Sequence, residues 1–281
     1  GPTPLKVAVA SRKLGILRVL YLYSGAQRKA SVSDFLHALC KGRKLTLVLT
    51  EVDLFYGAEH DMADEEAWLR IKDSIEAGHF DFVLVTPPCS TWSRAPWANR
   101  QGPAPIRSRE HPWGYPWLTG KLKAKAELGS LWVQRGLEAA EAAAASGASW
   151  LMERPEDLGR LATGYPASIW QLKRVFKLVA EEDATTGACF QCQWPGVEFA
   201  KPTRLTGKVA NLKRMVHPGW PKLSKTGQCQ GPLPKNCGHC HWPLIGRDSS
   251  GSFRAGPTAA YPAPMCEDLA LLIVEDYLLH M

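Results

Sequence analysis

The sequence predicts an α/β protein in which helices cover both faces of a doubly wound, mostly parallel β-sheet. Short apolar runs rich in Val and Leu recur along the chain, at residues 17–22, 45–49, 82–85 and 150–152. Segments with helical periodicity separate these runs. Because strands buried on both faces are apolar throughout, and because helices alternate with them here, the pattern indicates a parallel sheet.

The helical segments between these runs are predicted from apolar periodicity and from capping residues. They cover residues 31–39, 65–77, 129–146 and 169–179, so that one helix follows each apolar run. Asp64 precedes the second helix. A carboxylate at that position is typical of an N-cap, because it accepts a hydrogen bond from a free backbone N–H.

The second half of the chain has a different composition. After about residue 180 it is rich in Gly, Pro, Cys and Trp, until residues 265–279 return to a helix-like apolar pattern. We therefore predict a main domain over residues 14–186, a small insertion over 187–250, and a C-terminal segment over 251–281 that returns to the main domain. Residues 92–120 form a loop rich in Pro, Trp and Arg that is far longer than the usual connection.

The overall composition restricts the class of protein. With 281 residues, of which 45% are hydrophobic, the chain can form a real core. No apolar run approaches the ~20 residues of a membrane span, so no membrane partner is expected. The formal net charge of +7 favours a polyanionic partner. Eight scattered cysteines are typical of an intracellular protein with reduced thiols, so we expect a nuclear or cytoplasmic location. We also expect a monomer.

Two short motifs suggest the chemistry. The segment 86–90, Thr-Pro-Pro-Cys-Ser, presents Cys89 after an apolar run, and the segment 152–155, Met-Glu-Arg-Pro, presents Glu153 after another. Methylation of cytosine at carbon 5 needs such a pair, because a thiolate must add to carbon 6 while an acid at ring nitrogen 3 stabilises the enamine. A nearby cation such as Arg94 or Arg204 would favour the thiolate.

Each of these two residues also has a simpler interpretation. Read alone, Cys89 is equally typical of a buried structural cysteine. Glu153 read alone is more typical of an ordinary salt bridge. The order of several motifs within one alternating pattern is the stronger argument for catalysis.

In their order, these motifs resemble those of the cytosine-5 methyltransferase family, whose nucleophile motif is Pro-Cys and whose acid motif is Glu-Asn-Pro. Arg154 stands where the family has an Asn that helps to hold the target base. The segment 86–94 resembles divergent members found in phages and retrotransposons. The resemblance runs from about residue 19 to residue 270. It implies a Rossmann-like, S-adenosylmethionine-dependent methyltransferase fold that methylates DNA by base flipping, with Cys89 as nucleophile and Glu153 as acid.

The resemblance also implies a set of cofactor-binding residues. The turn after the first strand would receive the methionine carboxylate, although Gln27 replaces its second Gly. An acid after the second strand, Glu51, would hold the ribose hydroxyls. Asp61 would accept from the adenine amino group, although read alone it is equally typical of a turn or cap. The full predicted set is Tyr23, Ser24, Gly25, Glu51, Val52, Asp61, Met62, Pro87 and Thr258.

DNA contacts are expected from three regions of the chain. Arg204 matches the last Arg of the family's Gln-x-Arg-x-Arg strand and would contact the base or a flanking phosphate. The loop 92–120 would close over the extruded base, with Arg94, Arg100 and Arg107 binding nucleic acid, and the insertion would read the groove. An RNA substrate and a non-catalytic nucleic-acid-binding module of a mobile element remain as alternatives.

A final cluster of cysteines and histidines lies in the predicted insertion. Ligands two residues apart can reach one tetrahedral ion, so the spacing predicts a zinc site. Its ligands would be Cys229, Cys237, Cys240 and His241. Free thiols in a loop-rich region are the alternative.

Overall fold

A seven-stranded sheet organises the computed structural model, which describes residues 15–99, 102–235 and 237–281. The parallel strands are β1 (Ile16–Leu22), β2 (Thr46–Val52), β3 (Phe82–Val85) and β4 (Ser149–Pro155). Antiparallel ladders add β5 (Thr185–Phe190), β6 (Pro202–Lys208) and β7 (His217–Pro218). The strand order is β2-β1-β3-β4-β6-β5-β7, which confirms the predicted α/β class with its mostly parallel sheet.

Helices cover both faces of this sheet, as predicted. They are α1 (Val32–Gly42), α2 (Glu65–Glu76), α3 (Ala95–Ala98), α4 (Gly120–Ser146), α5 (Lys173–Glu181) and α6 (Ala263–Leu279). One apolar cluster joins Leu20 and Val83 to α2, α4 and α5, and a second joins Val19 and Leu84 to α1 and α6. Alternate residues of each central strand therefore face opposite layers, which is why these strands are apolar throughout.

Two helices differ from their predicted bounds. Helix α4 begins at Gly120 rather than at residue 129, because its first turns are rich in Lys, Ala and Leu, which form helix readily but show no apolar stripe. The predicted helix 169–179 is a 3₁₀ turn, Ile169–Gln171, followed by α5. Trp170 is buried there and donates from its indole nitrogen to the Pro155 carbonyl, so a tertiary contact shapes this turn. The Asp64 carboxylate accepts from the Ala67 N–H, as an N-cap should.

The boundary predicted for the insertion at residue 187 requires correction. Strands β5, β6 and β7 lie largely within the segment 187–250 and complete the main sheet instead. Strand β6 lies between β4 and β5, yet it carries Arg204 and several Thr, so its polar composition concealed a buried strand. The remainder of the segment has a two-stranded ribbon, β8 (Lys222–Leu223) and β9 (Cys229–Gly231).

Within the described ranges, no helix is both long enough and apolar enough to cross a membrane. The 27-residue helix α4 is the longest of them, but charged residues recur along its first half.

Candidate active site

The carboxyl ends of three neighbouring parallel strands bring the predicted catalytic residues to one edge of the sheet. Leu22 of β1 pairs with Val85 of β3, which pairs in turn with Met152 of β4, so β1 and β3 end level while β4 continues to Pro155. After β1 the chain forms β2 on one side of β1, and it then crosses over to form β3 on the other side. A crevice at such a switch point is where doubly wound proteins bind their ligands.

The loop that carries Cys89 is fastened to the neighbouring strand. The Thr86 hydroxyl donates to the carbonyl oxygens of Leu22, at 3.3 Å, and of Tyr23, at 2.9 Å. The Trp92 N–H donates to the Cys89 carbonyl at 3.0 Å and closes a turn. Cys89 is a free thiol and is partly exposed, unlike a structural core cysteine. A substrate can therefore reach it.

The acid Glu153 is held by a residue from the far end of the chain. Its side chain is 8% exposed, and its carboxylate accepts a 2.6 Å hydrogen bond from the Tyr261 hydroxyl. Burial, followed by the negative charge of Glu153, raises the pKa of Tyr261 well above its ordinary value. The phenol therefore remains a hydrogen-bond donor to this carboxylate. Tyr261 lies three residues after Thr258, which the resemblance assigned to cofactor binding, but the sequence did not single out Tyr261.

Arg154 links the nucleophile loop to the acid. Its side chain is 1% exposed and donates to the Pro87 carbonyl of the loop that carries Cys89. Burial lowers the pKa of Arg154, while the negative charges of Cys89 and Glu153 oppose that shift. Its Nη2 is buried and has no protein hydrogen-bond partner. Arg154, which stands where the family has Asn, thus brings to the site a positive charge and a hydrogen-bond donor without a protein partner.

The position of Arg204 does not support its predicted catalytic role as a contact to the base or a flanking phosphate. Its side chain is fully buried, pairs with Glu156 at 2.7 Å, and donates to the Thr186 hydroxyl and the Gly219 carbonyl. Burial lowers the pKa of Arg204 and raises that of Glu156 to about 7, and each partner's charge opposes the other's shift. Because β6 is an interior strand, Arg204 binds neighbouring strands and loops rather than a ligand.

The long loop 92–120 also differs from its prediction. Arg107 is 1% exposed, lies 4.3 Å over the Trp92 ring, and donates to the Pro112 and Ala126 carbonyls. It therefore holds the loop together and cannot bind phosphate. Arg94 is partly buried in a cleft beside Glu156 and Asp157, where burial lowers its pKa and the charge of Asp157 opposes that shift.

The outer surface of this loop is aromatic. Trp113 is 45% exposed and Trp117 67% exposed. The Tyr115 ring stacks on Trp117 with 4.7 Å between centroids. The remaining predicted DNA-binding residue of the loop, Arg100, lies outside the described residues. Exposed rings, rather than the predicted arginines, are therefore what the described part of the loop offers to a nucleic acid.

An open cleft with a cavity volume of about 110 Å³ lies at the carboxyl ends of β1 and β2. Ser24 and Glu51, both predicted to bind cofactor, line it together with Tyr56 and the first residues of α1. Gly25 adopts φ +79°, and its N–H donates to the Asp53 carboxylate at 2.9 Å. A left-handed turn of this kind favours Gly. Asp53 therefore holds the turn that opens the cleft.

The residues of this cleft fit S-adenosylmethionine. The buried Ser24 hydroxyl lies beside the Tyr56 phenol and lacks a protein hydrogen-bond partner of normal geometry. At the start of α1 a capping box occupies the N–H groups of Ser31 and Asp34, which leaves those of Val32 and Ser33 for a carboxylate. Glu51 accepts from the Ser33 hydroxyl at 2.7 Å and can also accept from ribose hydroxyls.

Several predicted cofactor residues do not line this cleft. Val52 and Met62 are buried in the apolar core. Asp61 accepts from the Ala63 N–H, as in its alternative interpretation as a turn residue. Thr258 is buried and donates to the Ala255 carbonyl, and the Pro87 carbonyl is used by Arg154. Tyr23 and Gly25, which belong to the predicted turn after β1, shape the cleft through their positive φ angles.

The cysteine and histidine cluster has a different composition from the predicted one. Ligand atoms of four side chains lie within 4.8 Å of one another, and these residues are Cys192, Cys237, His239 and His241. The predicted ligands Cys229 and Cys240 do not belong to the group: Cys229 is in β9, with its thiol directed at the Gly231 carbonyl, and Cys240 is exposed. Sequence spacing missed Cys192, because it lies 45 residues before Cys237 and only folding brings them together.

The fold defines an α/β protein with a mostly parallel sheet, in which Cys89, Glu153 and Arg154 all lie at the carboxyl ends of the neighbouring strands β3 and β4. Comparison of the chain with family models, curated proteins and solved structures found no match.

Proposed function

We propose that this protein is an S-adenosylmethionine-dependent methyltransferase that methylates carbon 5 of cytosine in DNA through a covalent Cys89 adduct. The observation that carries the proposal is the arrangement around Arg154. Its guanidinium donates to the Pro87 carbonyl of the loop that carries Cys89, and Arg154 directly follows Glu153 in β4. A thiol, an acid and a cation at the carboxyl ends of adjacent strands are the groups that addition to a cytosine ring requires.

In this mechanism a cytosine leaves the duplex and enters the site. The Cys89 thiolate forms a bond to carbon 6 of the ring while Glu153 holds a proton at ring nitrogen 3, so that electron density moves to carbon 5. S-adenosylmethionine, when bound, supplies an electrophilic methyl group for carbon 5. Loss of the carbon 5 proton to solvent and departure of the Cys89 sulfur from carbon 6 then restore the ring.

Two residues of the site would position the reacting groups. Tyr261 fixes the orientation of the Glu153 carboxylate through its 2.6 Å hydrogen bond. Arg154 has a buried donor without a protein partner, and the carbonyl oxygen of cytosine is an acceptor that would satisfy it. Arg154 would thereby perform the base-holding role of the Asn that it replaces.

S-adenosylmethionine would occupy the cleft beside β1 and β2. The N–H groups of Val32 and Ser33 would bind its carboxylate, and Glu51 would bind the ribose hydroxyls. The net charge of +7 and the exposed Trp113 and Trp117 support a nucleic acid as the second substrate, because cations bind phosphates and aromatic rings stack on unpaired bases.

The test is mass spectrometry of nucleosides after incubation with methyl-labelled S-adenosylmethionine. Unmethylated DNA and RNA are assayed separately, with wild-type protein, C89S, and C240S as a matched cysteine control. We expect labelled 5-methylcytosine in DNA with the wild type and C240S, and none with C89S. Label only in RNA would change the substrate. Absence of label from both would favour the non-catalytic module and contradict the proposal.

A covalent test follows from the same mechanism. With 5-fluorocytosine in the DNA, the fluorine cannot leave carbon 5 as a proton does, so the enzyme remains bonded to carbon 6. We expect a denaturant-stable protein–DNA complex that requires S-adenosylmethionine. The complex should form with C240S and be absent with C89S. A trapped complex with C89S would show that another residue is the nucleophile.

A further inference from the structure

Four side chains of the types that bind metals lie close together in the structure, and along the chain they are distant from Cys89 and Glu153. Cys192 lies in a 3₁₀ turn, Gln191–Gln193, directly after β5, and its side chain is buried. Cys237, His239 and His241 come from a loop of the Gly- and Pro-rich segment. The ligand atoms of all four lie within 4.8 Å of one another. The fold thus brings together two thiols and two imidazoles from separate parts of the chain.

We propose that Cys192, Cys237, His239 and His241 form a structural Zn²⁺ site. Two sulfur and two nitrogen ligands are a set that zinc binds tetrahedrally, and four protein ligands leave no position for a substrate. In such a tetrahedron a sulfur and a nitrogen ligand lie about 3.5 Å apart. The Cys237 sulfur lies 3.6 Å from Nε2 and 3.8 Å from Nδ1 of His241, so little movement is needed to close the site.

The ion would fasten a loop that is poor in regular secondary structure. Residues 234–256 are mostly exposed and contain no helix or regular strand among those the structure describes, apart from a short 3₁₀ turn that begins at Gly256. One other attachment of the loop is Trp242, whose N–H donates to the Glu198 carbonyl and whose ring contacts Phe199. A segment that buries so little apolar surface gains its order from a metal cross-link to the sheet.

Two cysteines of the same region provide matched controls. Cys240 stands between two of the proposed ligands but is exposed and outside the cluster, and Cys229 lies in β9. If only spacing mattered, replacing Cys240 would be as harmful as replacing Cys237. The proposed geometry predicts the opposite.

The first experiment measures the metal content of the purified full chain by mass spectrometry. After incubation with zinc and removal of the excess, we expect about one zinc per wild-type chain, as for a closed four-ligand site. C229S and C240S should retain it, while C237S, H239N and H241N should lose most of it. Zinc-free wild type, or equal zinc loss in C240S and C237S, would overturn the proposal.

The second experiment tests the same ligand set without the variant C192S, because that variant alters a buried side chain and can prevent folding. Cobalt is added to the zinc-free wild type, and tetrahedral thiolate ligation should give intense visible absorption with thiolate-to-cobalt bands in the near ultraviolet. H239C, which alters an exposed position, should keep the cobalt and intensify the thiolate bands, because a third thiolate replaces an imidazole. Octahedral cobalt absorption, or a Cys192–Cys237 disulfide in the metal-free protein under reducing conditions, would contradict the proposal.

Discussion

The Tyr261 hydroxyl donates a 2.6 Å hydrogen bond to the Glu153 carboxylate, although 108 residues separate them in the chain. Tyr261 precedes α6, whose apolar residues pack with α1 on one face of the sheet. The end of the chain therefore completes the site that the first half builds. This contact assigns to the C-terminal segment a part in orienting the proposed acid.

The first prediction concerns this hydrogen bond. Y261F should lower the single-turnover methylation rate by about 10- to 100-fold, because a hydrogen bond to a charged group contributes about 1.5–3 kcal/mol. The affinity for S-adenosylmethionine, measured by calorimetry, should remain near that of the wild type. An unchanged rate would show that Tyr261 supports only the fold, and a parallel loss of cofactor affinity would indicate general disruption.

Arg154 should not be replaceable by lysine. R154K keeps the positive charge but lacks the planar fork that can reach both the Pro87 carbonyl and a base oxygen. We expect the rate of covalent complex formation with 5-fluorocytosine DNA to fall by about tenfold or more, as for loss of one charged hydrogen bond. Thermal unfolding serves as the control for folding. A wild-type rate in a folded R154K would show that charge alone suffices.

Arg204 should contribute to stability rather than to DNA binding. R204M leaves Glu156 buried without its partner, so the free energy of unfolding should fall by about 3–5 kcal/mol. The double variant E156L/R204M should recover much of this loss, because it removes both buried charges. Denaturant unfolding measures both. Weaker DNA binding by R204M without loss of stability would instead support the contact to the base that the sequence predicted for Arg204.

The same pair makes stability depend on pH. Burial raises the pKa of Glu156 from 4.5 to about 7, so its carboxyl binds a proton more tightly in the folded chain than in the unfolded chain. Its contribution to stability is therefore complete below about pH 4.5 and is lost as the pH rises through about 7. Over this interval the unfolding free energy of the wild type should fall more steeply than that of E156Q. Parallel profiles would contradict the prediction.

The exposed rings of the loop 92–120 should contribute affinity for nucleic acid without phosphate contacts. W117A should weaken DNA binding by about 1–3 kcal/mol, the contribution of one base–aromatic stack. The salt dependence should stay unchanged, because no phosphate contact is lost. L279A, which alters an exposed apolar residue at the end of α6, is the control. Equal effects of the two variants would exclude stacking.

Regular elements were predicted best where local sequence dominates. The central parallel strands β1, β3 and β4 are short apolar runs because helices bury them on both sides, and that requirement is visible in the sequence. The edge strand β2 is only partly covered. Strand β6 could not be predicted from its apolar pattern, because it buries Thr206, which shares a hydrogen bond with Thr186 of β5, and Arg204, which pairs with Glu156. A polar strand can be buried when its partners are supplied by other strands, and the sequence does not show those partners.

Some residues of the candidate site could likewise be predicted from local sequence, and others could not. Cys89, Glu153 and Glu51 were predicted because each lies within a few residues of the carboxyl end of a strand, and parallel strands end at one edge of the sheet. Arg107 and Arg204 were assigned to nucleic acid from residue type alone. Their burial depends on Trp92 and Glu156, which lie 15 and 48 residues away along the chain, so residue type could not reveal it.

By itself the sequence determined the α/β class, the order of the parallel strands along the chain, and the edge at which a thiol and an acid meet. These depend on hydrophobic periodicity and on the residues next to each strand end, which are local properties. Only the tertiary structure decided that Tyr261 holds Glu153, that Arg154 joins the acid to the nucleophile loop, and that Cys192 completes the metal cluster. Each of these contacts joins side chains from different elements, and their distances are set by how those elements pack.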